Sequence, residues 1–334
     1  MHIEFKDDAK WLSKFKIDVT SNSNKLYNNG SQQLKVTVSL TPVKGERITD
    51  EQMDRIWLFL IKDGSDHRDL GIDFGRGAYD PACAKNNPAE PEELFRVSTI
   101  KDPRFEYFAA TGFAPQNLTA SAPRSRDFYV STLAPGGERY KIYAGIVKED
   151  GVDYATSTSR FNSYVELEAI SFPRRRRTDF TLERVHAFVG STDDDKTEVD
   201  IDVYYLEFKD RGLRIVDAIP LGADENNHYY DDWRDADPFV FTGTHYTEIQ
   251  RHYAFKPGAA RHFNYQNASA AVNNRPGAMS LLRLELIGPA DLTPRVPATG
   301  PTRWIVLDQY GTEHFIEMTQ KNSGNEIDFR MFDV

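Results

Sequence analysis

Cysteine is nearly absent: Cys83 stands alone in 334 residues. No intramolecular disulfide can form, so packing must supply the stability. Long apolar runs are missing too. No stretch approaches the roughly 18 consecutive apolar residues that a membrane-spanning helix needs. The opening segment MHIEFKDDAKW has no basic region leading into an apolar one, so no secretory signal is expected. These absences predict a chain that is cytoplasmic as synthesised, leaving the cell only by lysis or a non-classical route. A positive surplus is also lacking. The formal net charge is -10, which repels phosphate backbones and argues against a nucleic-acid partner.

Linear catalytic signatures are absent as well. There is no G-x-S-x-G elbow and no Walker loop. The glycine-rich stretch Gly71-Ile72-Asp73-Phe74-Gly75-Arg76-Gly77 is not followed by a helical pattern, so it reads as a loop and not a dinucleotide site. Cys83 lies in Pro81-Ala82-Cys83-Ala84 with no nearby histidine and reads as a chance thiol. Asn117-Leu118-Thr119 and Asn267-Ala268-Ser269 fit the glycosylation sequon, which has no use without a secretory route. No cofactor is expected, and the chain reads as a non-enzyme.

What is present is a period of two. Gln33 to Leu40 (QLKVTVSL) alternates polar with apolar, as a half-buried strand does. Arg55–Ile61 (RIWLFLI) is a continuous apolar run closed by Asp63-Gly64. Strands are predicted at 127–132, 140–147 and 164–170, with turns at Ala134-Pro135-Gly136-Gly137 and Glu149-Asp150-Gly151. Thr49 and Gln52 make a capping box that supports one helical turn. Pro173 is followed by Arg174, Arg175, Arg176 and Arg177. Four adjacent arginines cannot all face a core, so the junction is placed here: one domain over 1–172, a linker over 173–178, a second domain over 179–334. The tract reads as a solvated joint pairing with acidic neighbours, in preference to a patch for nucleic acid or anionic lipid.

The second half repeats the pattern of the first. Val199–Tyr205 (VDIDVYY) alternates as Leu34–Leu40 does. Each follows a polar loop and leads to a glycine turn, Gly45 or Gly212, which suggests duplication. Further strands are predicted at 238–242, 280–287, 303–308, 314–318 and 326–331, with a turn at Gln309-Tyr310-Gly311. The fold class expected is all-β: two tandem β-sandwich domains, Ig-like or jelly-roll-like, with long loops and little helix. The stretch Asn28-Asn29-Gly30-Ser31-Gln32-Gln33-Leu34-Lys35-Val36-Thr37-Val38 resembles the opening of bacterial immunoglobulin-like repeats of the invasin and intimin type. That resemblance implies a sandwich and carries no functional residues across. The chain is expected to depart from those proteins in having no signal peptide and no membrane anchor.

The segment from His228 to Tyr265 concentrates aromatic residues and holds four of the eight histidines. Three readings compete for it. A metal could use His228 and Asp231, although His245-x-x-Glu248-x-x-x-His252 lacks the paired spacing of a zinc helix. A glycan could stack on Tyr229, Tyr230 and Trp233 beside Asp231 and Asp232. A protein interface, or simply core, would use Tyr229, Tyr230, Trp233, Tyr246, Arg251, Tyr253 and Phe255, because Tyr, Trp and Arg are enriched in contact hot spots. Asp193, Asp194 and Asp195 form a weak calcium candidate without EF-hand spacing. The leading expectation is a non-enzymatic structural or interaction protein that self-assembles as a homo-oligomer. A soluble carbohydrate-binding module is the alternative, and a hydrolase with a dispersed site comes third.

Overall fold

A computed structural model of the chain describes residues 5–7, 10–62, 66–70, 94–108, 124–191, 197–221, 236–245, 248–288, 303–322 and 325–333. It is an all-β protein that divides into two units. One comprises Met1–Pro173 with Tyr310–Thr312, the other Arg174–Gln309 with Glu313–Val334. Among the described residues no helix is long and apolar enough to cross a membrane.

The first unit contains β1 (Leu12–Val19), β2 (Lys25–Tyr27), β3 (Leu34–Pro42), α1 (Asp50–Asp54), β4 (Trp57–Lys62), β5 (Asp66–Leu70), β6 (Phe95–Ser98), β7 (Arg124–Thr132), β8 (Arg139–Val147), β9 (Asp153–Ala155) and β10 (Val165–Ile170). One sheet runs β1-β3-β7-β6, and the other runs β2-β10-β8-β4-β5 with β9 beside β8. Successive side chains on a strand point to opposite faces. Leu34, Val36, Val38 and Leu40 of β3 therefore share one face, which packs on Leu58 and Leu60 of β4 and Ile142, Ala144 and Ile146 of β8. The two sheets enclose that core, which makes this unit a β-sandwich.

The continuous apolar run at 55–61 has a physical reason. Leu58 and Leu60 face the core, while Phe59 on the opposite face is also fully buried, stacked on Phe5 and Tyr143 with ring centroids 5.4 and 5.7 Å away. A strand covered on both faces loses its alternation. The capping box forms as read. Thr49 Oγ1 accepts from Gln52 N at 3.2 Å, and Thr49 N donates to Gln52 Oε1 at 2.8 Å. Gly137 and Gly151 adopt φ of 94° and 80°, the left-handed region their turns require.

The second unit contains β11 (Phe180–Ser191), β12 (Glu198–Phe208), β13 (Ile215–Leu221), β14 (Ala236–His245), β15 (Glu248–Phe255), β16 (Arg261–Tyr265), β17 (Ala268–Val272), β18 (Met279–Ile287), β19 (Arg303–Asp308), β20 (Glu313–Lys321) and β21 (Glu326–Met331). A five-stranded sheet runs β11-β12-β18-β15-β14, and a four-stranded sheet runs β13-β19-β20-β21. Tyr204, Leu206 and Leu281 of the first pack on Trp304, Val306, Ile316 and Phe329 of the second. The opposite face of the five-stranded sheet carries a separate core, in which Ile201, Val203, Leu282, Leu284, Tyr253 and Phe255 pack on Phe263, Ala270 and Val272 of the β16–β17 hairpin. The unit is thus a sandwich with a third, partial layer. In both units the alternating strand named from sequence becomes an inner strand beside an edge strand, β3 next to β1 and β12 next to β11.

Arg177 is an anchor as well as part of the joint. Its Nη2 donates to Asp328 Oδ1 at 2.9 Å, its Nε donates to the Phe329 carbonyl at 3.1 Å, and its guanidinium lies 3.8 Å from the Phe329 ring centroid. Among the described residues Arg177 is the arginine of this tract whose side chain pairs with an acidic one, and it leads directly into β11.

Candidate functional site

β12 pairs with β11 on one side and β18 on the other, and β18 pairs with β15. The registers place His186 opposite Asp202, Asp202 opposite Arg283, and Arg283 opposite His252. One row of four titratable side chains therefore crosses four strands on a single face. In the next row Asp200 lies opposite Glu285, and Glu285 opposite Gln250. This is the face that carries Tyr204, Leu206 and Leu281 toward the four-stranded sheet. Along β12 that face changes from apolar to ionic while staying inside the unit. Asp202 and His252 are 0% exposed, and Arg283 and Gln250 are 2% exposed.

Charges removed from water must be paired and hydrogen-bonded. Arg283 does most of the pairing. Its Nη1 donates to Asp200 Oδ2 at 3.0 Å and Asp202 Oδ2 at 2.7 Å. Its Nη2 donates to Glu285 Oε2 at 2.6 Å and Asn325 Oδ1 at 2.8 Å. Asn325 immediately precedes β21, so it reaches the cluster from the facing sheet. Gln250 Nε2 joins the same two acceptor side chains, donating to Glu285 Oε1 at 3.0 Å and Asn325 Oδ1 at 2.8 Å. Arg184 of β11 adds a second guanidinium on Asp202 Oδ2 at 2.6 Å. His186 Nδ1 lies 2.7 Å from Asp202 Oδ1, close enough for an ion pair but without the alignment of a hydrogen bond.

The electrostatics follow from this geometry. Burial alone would lower the Arg283 pKa, but the hydrogen bond to Asp200 and the carboxylates of Glu285 and Asp202 outweigh it and hold the group above its ordinary value. The hydrogen bond to Asp202 raises Arg184. Burial raises the phenol of Tyr204, one row along the same face. Both guanidiniums therefore stay charged, and the cluster is a fixed ionic assembly.

Rows at its solvent-facing margin expose apolar side chains. Val189, opposite Asp200, is 75% exposed, and Ile287 of β18 is 42% exposed. A second histidine–carboxylate pair, His314 Nε2 to Asp308 Oδ2 at 3.3 Å, is buried with the His314 ring against Phe180 and Phe208. That pair is part of the packing.

The residues singled out from sequence fall elsewhere. Tyr253 and Phe255 lie in the core under the hairpin, their rings 5.4 and 6.3 Å from Phe263. Arg251 is half-buried on that same side of β15. Tyr229, Tyr230, Trp233, Tyr246, Asp193, Asp194, Asp195, Cys83, Asn117 and the loop 71–77 lie outside the described residues. Much of the aromatic segment is strand: β14, β15 and β16 occupy it where only 238–242 was expected. Asn267 of the second sequon donates from its amide to the Ser191 carbonyl at 3.0 Å. Sequence reasoning missed Arg283, Glu285 and His186 altogether, and it took Asp200 and Asp202 for the solvent side of an alternating strand. The available signal was the complementary spacing of Asp200-x-Asp202 and Arg283-x-Glu285, which becomes informative once the two strands are known to pair.

No protein-family model matches the chain, and no curated protein matches it. Among solved structures, the chain is similar to a marsupial T cell receptor at 9% identity, over 96% of this chain and 100% of that one, with a TM-score of 0.24. A likeness that weak carries no argument for shared function. The all-β sandwich architecture rests on the sheets described above.

Proposed function

We propose that this chain is a non-enzymatic structural or interaction protein that self-associates through its sandwich surfaces. The observation that carries this reading is β11. It is 12 residues long and lies at the edge of the five-stranded sheet. Among the described residues it pairs with one strand only, and it exposes Val185 at 38% and Val189 at 75%. A long edge strand with exposed apolar side chains offers a row of backbone donors and acceptors that another strand can complete. Pairing with β11 of a second copy about a two-fold axis would join two sheets into one. The register shift between His186 and Phe188 bends the strand, which leaves Phe180–His186 as its straight run. Tyr229, Tyr230, Trp233 and Tyr246 supply further aromatic residues for contact with a second copy, and synthesis is cytoplasmic.

Light scattering or sedimentation across a concentration series tests this reading. The wild-type chain should form dimers or larger species. Val185→Lys with Val189→Lys should shift it toward monomer, because lysine blunts an edge. A chain that stays monomeric at its highest attainable concentration, or assembles equally well with both lysines, refutes the reading.

A further inference from the structure

We propose that His186, Asp200 and Asp202 form a binding site for a divalent transition-metal ion, with zinc the best fit. Each residue offers one ligand atom, and these atoms lie within 4.8 Å of one another. The arrangement of the carboxylate oxygens is the second observation. Both aspartates direct Oδ2 to Arg283, at 3.0 and 2.7 Å. Both Oδ1 atoms are buried and accept no hydrogen bond among the described residues. Asp202 itself is 0% exposed. A buried charged acceptor without a donor calls for a proton or a cation beside it. Both oxygens lie on the same face as the His186 imidazole, whose Nδ1 stands 2.7 Å from Asp202 Oδ1 without the alignment of a hydrogen bond, a gap that a shared ion would fill after small side-chain shifts.

The chemistry of the donor set selects the ion. Imidazole nitrogen disfavours calcium and magnesium, which take oxygen ligands. One nitrogen and two carboxylate oxygens, with water in the remaining position, match four-coordinate zinc. Bond lengths of about 2.0–2.2 Å would put ligand atoms about 3.5 Å apart, so side-chain shifts of about 1 Å close the site. The surroundings suit this role. Arg283 grips the far oxygen of both carboxylates and fixes their orientation, as groups behind metal ligands commonly do. Asp200, Asp202 and Glu285 face the guanidiniums of Arg283 and Arg184, so one negative charge is left over for a cation. The His186 side chain is 69% exposed, which opens the site to solvent.

Isothermal titration calorimetry of the full chain with zinc chloride tests the proposal. Wild type should take up one ion per chain at this site. His186→Ala and Asp200→Asn should each weaken uptake by at least about tenfold, while His262→Ala, an exposed histidine outside the cluster, should not. Both substitutions fall on solvent-reached side chains, and circular dichroism with a thermal melt confirms that the variants fold. Zinc should also raise the melting temperature of wild type but not of His186→Ala. No zinc uptake by wild type, or equal uptake by His186→Ala, overturns the proposal. Ion uptake is read independently of self-association, so either reading can fail alone.

Discussion

Replacing Arg283 with Met removes the cation at the centre of the ionic cluster while keeping a side chain of similar length. Four acceptors lose the Arg283 donor at once, Asp200, Asp202, Glu285 and Asn325, although Glu285 and Asn325 keep the Gln250 amide. Asp202 keeps Arg184 at 2.6 Å, but Asp200 and Glu285 lose their guanidinium partner. Removing one partner of a buried pair costs about 3–5 kcal/mol, because the other charge is left in a poor solvent. Arg283 is 2% exposed and holds several partners, so the upper part of that range applies. At about 1.4 kcal/mol per decade, β12 and β18 amides should exchange with deuterium about 10³-fold faster than in wild type, or slightly more. Hydrogen-exchange mass spectrometry resolves the effect by peptide, and a chelator keeps bound metal out of the comparison. Peptides from β3 and β7, in the other unit, serve as the internal control and should not change. Arg283→Lys should recover only part of the loss, since an ammonium cannot fork between four acceptors as a guanidinium does. Exchange in β12 and β18 within about threefold of wild type would show that the cluster contributes nothing net, and the argument from buried charge would fall.

Two other outcomes follow from the packing. Burial pushes the Asp328 carboxyl up, but hydrogen bonds from Lys321 and Arg177 outweigh it and hold the pKa below the ordinary carboxylate value. Its folded value lies below its unfolded one. The stabilisation is therefore fully present above about pH 4 and is lost as pH falls through the depressed folded value. Urea midpoints measured on the acid side should fall less steeply for Asp328→Asn than for wild type, and identical slopes would dismiss the pairing. A methyl group at Gly145 would run into the Trp57 ring on the neighbouring strand. Gly145→Ala should cost about 1–3 kcal/mol by overpacking and shift the tryptophan emission; an unchanged urea midpoint would mean the ring moves aside freely.

Local rules carried a large part of the fold. The alternation of β3, the run of β4 and the Thr49–Gln52 cap depend on neighbours within a few residues, and a sequence displays such neighbours directly. β11, β15 and β16 are different. Phe180–Ser191 alternates poorly because most of it lies at an exposed edge. In β15, Gln250 and His252 occupy buried positions, so polarity did not mark the face turned to water. Tyr253 and Phe255 looked like contact residues for the same reason. Their aromatic character is visible in one dimension, but the β16–β17 hairpin that covers them is visible only in three.

The ionic cluster was illegible for a sharper reason. An alternating strand is read as apolar inside and polar outside, and that inference assumes one dry face. β12 has two covered faces, one under the hairpin and one under the four-stranded sheet. Its polar positions then have no solvent to face, so each aspartate needs a cation from a neighbouring strand. Arg283 lies 81 residues from Asp202 along the chain, and only the register of β12 against β18 sets them side by side. Burying these charges brings little net stability compared with an apolar face of the same shape. It does penalise any shift of register, because a one-residue slip would turn Asp200, Asp202, Arg283 and Glu285 toward the hairpin core. The cluster therefore fixes the alignment of three central strands, and the same alignment sets Asp202 Oδ1 beside His186 Nδ1.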